Sequence, residues 1–366
     1  MTDIKKLINP GILDLNPYKP GKPVEDLERE LGITNAIKLA SNENPLGASP
    51  LAIEAVNNIL SGLHRYPDGN ALRLKESISN EYNVEIDQIT VGNGSNDIIE
   101  FVVKSFLSSK DSAIFSEHAF AVYPLAVQAI GAEGIEVQAD NWGHNLTAMK
   151  DAVKENTKLI FIANPNNPTG TFIARDKIIS FLDKLSKDVI VLLDQAYFDY
   201  ASYENSDVDF EFVNEYPNLI ISRSFSKAYG LAGFRAGYSV SSKEIADYLN
   251  RVRQPFNANS LALAAAEAAL LDKAHMMRSL KMNSEQKALL YEGLSDLDYE
   301  YIPSHGNFIC FDCKQEANKA YNQLLKEGVI VRSMEVYKMP NHLRVTIGTP
   351  EENKIFLKKL SQITLS

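Results

Sequence analysis

A lysine closes the stretch Ser222-Arg223-Ser224-Phe225-Ser226-Lys227, set among serines and glycines directly after a short apolar run. An amine held in such a place can condense with a carbonyl to form an imine and then shuttle a proton. Ser224 and Arg235 flank it with a hydroxyl and a guanidinium, a pair suited to a phosphate. In Val191-Leu192-Leu193-Asp194-Gln195-Ala196-Tyr197 a carboxylate ends an apolar run. Ligands of open α/β sheets lie beyond such strand ends. The carboxylate would pair with a protonated ring nitrogen, and Tyr197 would donate a hydrogen bond. Asn164-Pro165-Asn166-Asn167-Pro168-Thr169-Gly170 follows another apolar run, and its prolines and glycine fix a turn that exposes side-chain amides. Gly92-Asn93-Gly94-Ser95-Asn96-Asp97 leads into a helical pattern. A glycine-rich turn at a helix N-terminus attracts anions. This one lacks the Gly-x-Gly-x-x-Gly spacing of a dinucleotide site. Taken singly, each segment has an ordinary structural explanation: a solvent-facing lysine, an aspartate capping a loop, a plain turn. Their combination is what points to chemistry.

The elements around them read as an α/β fold. β-rich runs fall at 111–115, 134–138, 158–163, 189–193, 219–222 and 236–240, separated in several places by helical candidates at 95–107, 119–130, 146–155 and 175–186. Near-continuous apolar strands alternating with helices predict a mostly parallel central sheet covered by helices. Residues 1–35 begin irregularly and end in an amphipathic segment at 24–31, an arm that would cover another surface. The large domain is expected over 36–255, with its N-terminal part free to pack on the small one and with helices at 50–62 and 71–82. Residues 256–294 form a long Ala- and Leu-rich stretch that should include a helix crossing between domains. From 295 to 366, strand-like segments at 299–303, 307–312, 329–332 and 343–347 alternate with helical ones at 315–326 and 351–362, which predicts a smaller α+β domain.

Composition narrows the classes. The 37 basic and 47 acidic residues leave a net charge of −10, which weighs against a nucleic-acid partner while allowing a local basic pocket. Cys310 and Cys313 lie three apart in an alternating stretch, so a strand would turn them to opposite faces, as inert thiols rather than a redox turn or zinc knuckle. Such usage suits a reducing compartment. His64, His118, His144, His275, His305 and His342 show no metal-ligand spacing, and no metal is expected. Lys5 and Lys6 are not followed by an apolar run, and no window reaches the roughly 18 apolar residues of a membrane span, so no secretory leader or membrane is expected and the reading is cytoplasmic.

In their order and spacing, the four segments resemble the fold-type I aminotransferases that use pyridoxal 5′-phosphate. The likeness runs from about residue 13 to the C-terminus. It is closest to the branch whose members move the amino group of histidinol phosphate, a phosphorylated amino alcohol, to 2-oxoglutarate, giving glutamate. That closer likeness rests on Leu15-Asn16-Pro17-Tyr18-Lys19-Pro20-Gly21-Lys22-Pro23, Leu39-Ala40-Ser41-Asn42-Glu43-Asn44-Pro45-Leu46-Gly47 and Arg65-Tyr66-Pro67-Asp68. Ser116-Glu117-His118-Ala119-Phe120-Ala121-Val122-Tyr123 and Arg253-Gln254-Pro255-Phe256-Asn257 support it.

The resemblance implies that Lys227 holds the cofactor, that Asp194 pairs with its ring nitrogen, and that Asn167 and Tyr197 bond its phenolic oxygen. Ser95, Asn96, Ser224 and Arg235 would bind its phosphate, joined by Tyr66 from the partner of a homodimer. Phe120 would stack on the ring, where relatives often place tyrosine or tryptophan. Arg344 would clamp a substrate carboxylate and Arg332 the substrate phosphate, with Tyr18 and Asn44 lining the cavity. An aromatic aminotransferase, a phosphothreonine decarboxylase and a non-catalytic binding or scaffold protein of the same fold are the alternatives.

Overall fold

The computed structural model describes residues 3–17, 21–203 and 210–363. After the short strand β1 (Ile37–Lys38) comes one large sheet. Its strands are β2 (Ile89–Gly92), β3 (Ser112–Ser116), β4 (Glu133–Val137), β5 (Thr157–Ala163), β6 (Ile190–Asp194), β7 (Leu219–Ser224) and β8 (Gly237–Ser241). Their spatial order is β2-β8-β7-β6-β5-β3-β4. β8 runs antiparallel to both its neighbours, and every other pairing is parallel.

The central strands are apolar throughout because both faces are covered, and successive side chains point to opposite faces. Ile160, Ile162, Val191, Leu193 and Ile221 pack with Ile178 and Leu182 of the helix Arg175–Lys184 and with Ala262 and Ala266 of the helix Ser260–Leu271. Leu159, Phe161, Leu192 and Ile220 pack on the other side against Ile98 and Val102 of the helix Ser95–Phe106 and Leu249 of the helix Lys243–Val252.

A second sheet follows with β9 (Tyr301–Ile302), β10 (Phe308–Asp312), β11 (Val329–Ile330), β12 (Arg332–Ser333) and β13 (His342–Thr346). Four of these form an antiparallel sheet in the order β12-β13-β10-β9, while β11 pairs in parallel with β1. The single strand expected over 329–332 is therefore two, split at Val331 because each half serves a different sheet. Leu39 continues this link: its N–H donates to the Ile330 carbonyl at 2.7 Å, and its carbonyl accepts from Thr346 at 2.8 Å. The segment after the arm is thus tied to the second sheet before the chain enters the first.

Three further elements differ from the sequence expectation. β2 was not anticipated: four residues ending in glycine are too few for a periodic signal. The helix expected from 119 begins at Val122, because Phe120 and Ala121 form a turn before it. The long stretch 256–294 holds two helices, Ser260–Leu271 and Lys273–Asp296. They part at Asp272, whose ψ of 68° is non-helical and whose carboxylate caps the second helix by accepting from the His275 N–H. The first packs on the helix Pro50–Ile59, and the second on the C-terminal helix Pro350–Leu360.

The described part of the arm lies on the molecule. Asn9 donates to the Ala129 carbonyl at 3.2 Å, and Leu27 is buried with Ala40 and Ile330. Cys310 and Cys313 are free and buried in different clusters, and burial pushes their thiols up to about 12 and about 11. No helix among the described residues is long and apolar enough to cross a membrane.

Candidate active site

β5, β6 and β7 end side by side, and their last residues, Ala163, Asp194 and Ser224, line a cavity of about 280 Å³. This is the position where open α/β sheets bind ligands. The second sheet contributes Arg332 and Arg344 to the cavity wall, and the short helical turn Glu335–Tyr337 between their strands contributes Tyr337.

Asp194 is buried at the end of β6. Its Oδ2 accepts from the Tyr123 hydroxyl at 2.7 Å; its Oδ1 accepts from the Ala196 N–H at 3.1 Å and the Ser222 hydroxyl at 3.4 Å. Burial pushes its pKa up, while these donors and the nearby Lys227 amine pull it down. Lys227 projects from the turn after β7, and its Nζ donates to the Ser41 carbonyl at 3.2 Å and stands 5.5 Å from the Tyr197 ring centroid. Tyr197 accepts from Asn42 Nδ2 at 2.8 Å, so its own hydrogen remains available to donate. Burial raises its pKa, which keeps the phenol protonated, and the Arg344 charge offsets only part of that rise.

An anion cradle lies at one end. Gly94 sits in the left-handed region at φ 85°, immediately before the helix Ser95–Phe106, which has no side-chain cap. A Cβ added at Gly94 would come within 2.5 Å of Arg235 Nη2, and one at Gly237 within 2.5 Å of the Ser95 nitrogen. Only glycine at both positions lets the uncapped helix start, Arg235 and β8 converge. Arg235 is held by Ser226 Oγ at 3.3 Å and the Ala232 carbonyl at 3.2 Å, and the Ser224 hydroxyl accepts from the Ser226 N–H at 3.1 Å. Ser95, Asn96, Ser224 and Arg235 all line the cavity.

At the other end, Arg344 on β13 donates to Asn167 Oδ1 and, at 2.9 Å, to the Ala40 carbonyl. Arg344 is buried and lines the cavity, with its guanidinium oriented by these two acceptors. Arg332 pairs with it in register across β12 and β13. Phe120 reaches the cavity and packs edge-on to Tyr123, ring centroids 5.8 Å apart.

Of the expected site residues, Asn44 and Tyr66 are not among those lining this cavity. Asn44 does not line the cavity: both its amide hydrogens are used, on the Ala228 carbonyl at 2.8 Å and Ser279 Oγ at 2.9 Å, so it braces backbone. Its neighbours Asn42 and Glu43 line the cavity instead. Tyr66 is 82% exposed and stacks on Phe256 at 4.7 Å, away from the cavity of its own chain. Tyr18 lies outside the described residues. Tyr123, Ser41 and Asn42 were not singled out as site residues; only the resemblance quoted their segments, and no spacing rule marks them. No three His, Cys, Asp or Glu side chains cluster to hold a metal among the described residues.

A buried carboxylate facing a lysine, with an anion cradle at one end and two arginines at the other, defines an amino-group-transfer site, and the chain belongs to the class I and II aminotransferase family, whose model matches residues 34–360. Histidinol-phosphate aminotransferase 1 of Idiomarina loihiensis is 51% identical, over 98% of each chain. Histidinol-phosphate aminotransferase 2 of Pseudomonas aeruginosa is 52% identical, over 99% of each. Among solved structures, histidinol-phosphate aminotransferase from Sinorhizobium meliloti in complex with pyridoxal-5′-phosphate matches with a TM-score of 0.90 at 25% identity, over 97% of this chain and 96% of that one.

Proposed function

We propose that this protein transfers the amino group of L-histidinol phosphate to 2-oxoglutarate, giving imidazole-acetol phosphate and L-glutamate, as a step of histidine biosynthesis. The observation that carries the reading is one cavity holding Lys227, Asp194, Arg332 and Arg344 together, in a chain about half identical along its length to enzymes of that name.

The residues suit pyridoxal 5′-phosphate. The cradle of Ser95, Asn96, Ser224 and Arg235 would accept a phosphate, and a Cβ at Gly94 or Gly237 would collide with Arg235 or with the helix start that form it. Asp194 would hold a proton on the ring nitrogen, Asn167 and Tyr197 would bond the phenolic oxygen, and Phe120 would stack on the ring; all four line the cavity. When bound, the cofactor supplies a carbonyl that captures the substrate amine and a ring that accepts electrons from the substrate α-carbon.

Lys227 would act as the base that removes the α-proton and the acid that returns it at the cofactor carbon two bonds away, across the nitrogen being transferred. Ser41 and Tyr197 keep its amine at hand. Arg344 meets the carboxylate of the oxo acid with its forked donors, and Arg332 meets the substrate phosphate. The second half runs the same proton transfers in reverse, so nitrogen passes from amino alcohol to oxo acid without net oxidation. Arg332→Gln should raise KM for histidinol phosphate about tenfold or more and leave KM for 2-oxoglutarate within about threefold. Steady-state kinetics on both substrates check this, and an equal rise in both constants would remove Arg332 from the phosphate end.

The reading includes a homodimer in the cytoplasm. Free, buried thiols suit a reducing compartment. Tyr66, Leu60, Leu63 and Phe256 expose apolar surface, the kind a second subunit covers. With Tyr66 delivered to the partner's cradle, a monomeric variant should bind the cofactor weakly and lose activity. Sedimentation with activity assays tests this, and full activity in a verified monomer would overturn it.

A further inference from the structure

We propose that Tyr123 is a positioning residue for the reaction: its buried phenol fixes the orientation and the negative charge of Asp194, an inference that rests on the assignment of Asp194 to the cofactor ring. Tyr123 has no exposed surface, and its hydroxyl lies 2.7 Å from Asp194 Oδ2. An ionised carboxylate has nothing to donate, so the phenol must be the donor. Two contacts lock the ring that carries it. Phe161, on the strand next to Asp194's, stacks on it at 4.6 Å, and Phe120 packs edge-on at 5.8 Å. The donor is therefore preset rather than recruited.

Asp194 needs such a donor. Burial alone favours its neutral form, and a neutral acid cannot hold a positive ring nitrogen. The phenol itself stays protonated, because burial and the adjacent carboxylate push its pKa well up. The charged or titratable groups around the pair are Lys227 and Tyr197 beside Asp194, and Tyr197 and Tyr337 beside Tyr123. With the phenol supporting Oδ2, and Ala196 and Ser222 supporting Oδ1, both oxygens are fixed.

Tyr123→Phe keeps the ring and its stacking while deleting the donor. In the apoprotein, the dissociation constant for pyridoxal 5′-phosphate should rise about tenfold, the worth of a hydrogen bond to a charged group. Loss of the donor raises the pKa of Asp194, so the acidic limb of the kcat profile of the loaded enzyme moves to higher pH. KM for 2-oxoglutarate should stay within about twofold, since Arg344 is untouched. A cofactor affinity and an acidic limb both unchanged would overturn the inference, even if the variant melted earlier. Asp194→Asn run in parallel separates the two readings. If it too leaves cofactor affinity unchanged, the assignment of Asp194 falls and this inference with it. If Asp194→Asn weakens binding while Tyr123→Phe changes neither the affinity nor the acidic limb, only the role of Tyr123 falls.

Discussion

Lys227→Ala should lower kcat by about 10⁴-fold or more while leaving the fold and the other cofactor contacts in place. The amine stands where it does because the turn after β7 is rigid. The Leu231 N–H donates to the Phe225 carbonyl at 3.0 Å, and Gly230 N–H to the Lys227 carbonyl at 3.0 Å. Gly230, at φ 69°, presses on Gly47, whose carbonyl oxygen would lie 2.0 Å from any added Cβ. Alanine leaves these backbone contacts intact and removes only the amine. Among the described residues no other lysine lines the cavity. Borohydride reduction followed by mass spectrometry should find the cofactor on the peptide carrying Lys227 in the parent protein and nowhere in the variant. A variant keeping more than about a hundredth of the parent rate would remove Lys227 from the proton path.

Asp194→Asn comes next, with an expected loss in kcat on the order of 10³-fold. The substitution is nearly isosteric, and an amide oxygen can still accept from the Ala196 N–H. What disappears is the negative charge in a buried place, where a ring nitrogen would depend on it to stay protonated. Thermal unfolding of the variant should resemble that of the parent, so a fall in rate reports charge rather than folding. A rate within tenfold of the parent, with cofactor bound, would mean that the ring needs no carboxylate.

Asp194 is legible because it ends a continuous apolar run, and Lys227 because it follows another such run within a few residues, in a serine-rich segment; such runs are the strongest strand signal in an α/β chain. Leu192, Leu193, Ile220 and Ile221 announce buried parallel strands, and the residues just beyond must then sit at one edge of the sheet. The shortest features carried no such signal: β2 is four residues, and the split of the 329–332 segment into two two-residue strands leaves no trace in its pattern. The break at Asp272 hides in a stretch of good helix formers, because a cap depends on one residue's ψ rather than on periodicity. The family likeness brought attention to the segment of Asn44, but which asparagine faces the cavity depends on Asn42 adopting φ 55°. Nor does any spacing reveal that Tyr123 meets Asp194, a contact made across 71 residues by the stacking of two rings.

The central claim is the substrate. It is tested most directly by mixing cofactor-loaded protein with histidinol phosphate, phenylalanine, tyrosine or phosphothreonine in a stopped-flow instrument and following the cofactor's absorbance through a single turnover. The account predicts rapid conversion to the aminated cofactor by histidinol phosphate alone. Comparable conversion by phenylalanine or tyrosine would contradict it in favour of an aromatic aminotransferase, and carbon dioxide released from phosphothreonine would contradict it in favour of a decarboxylase.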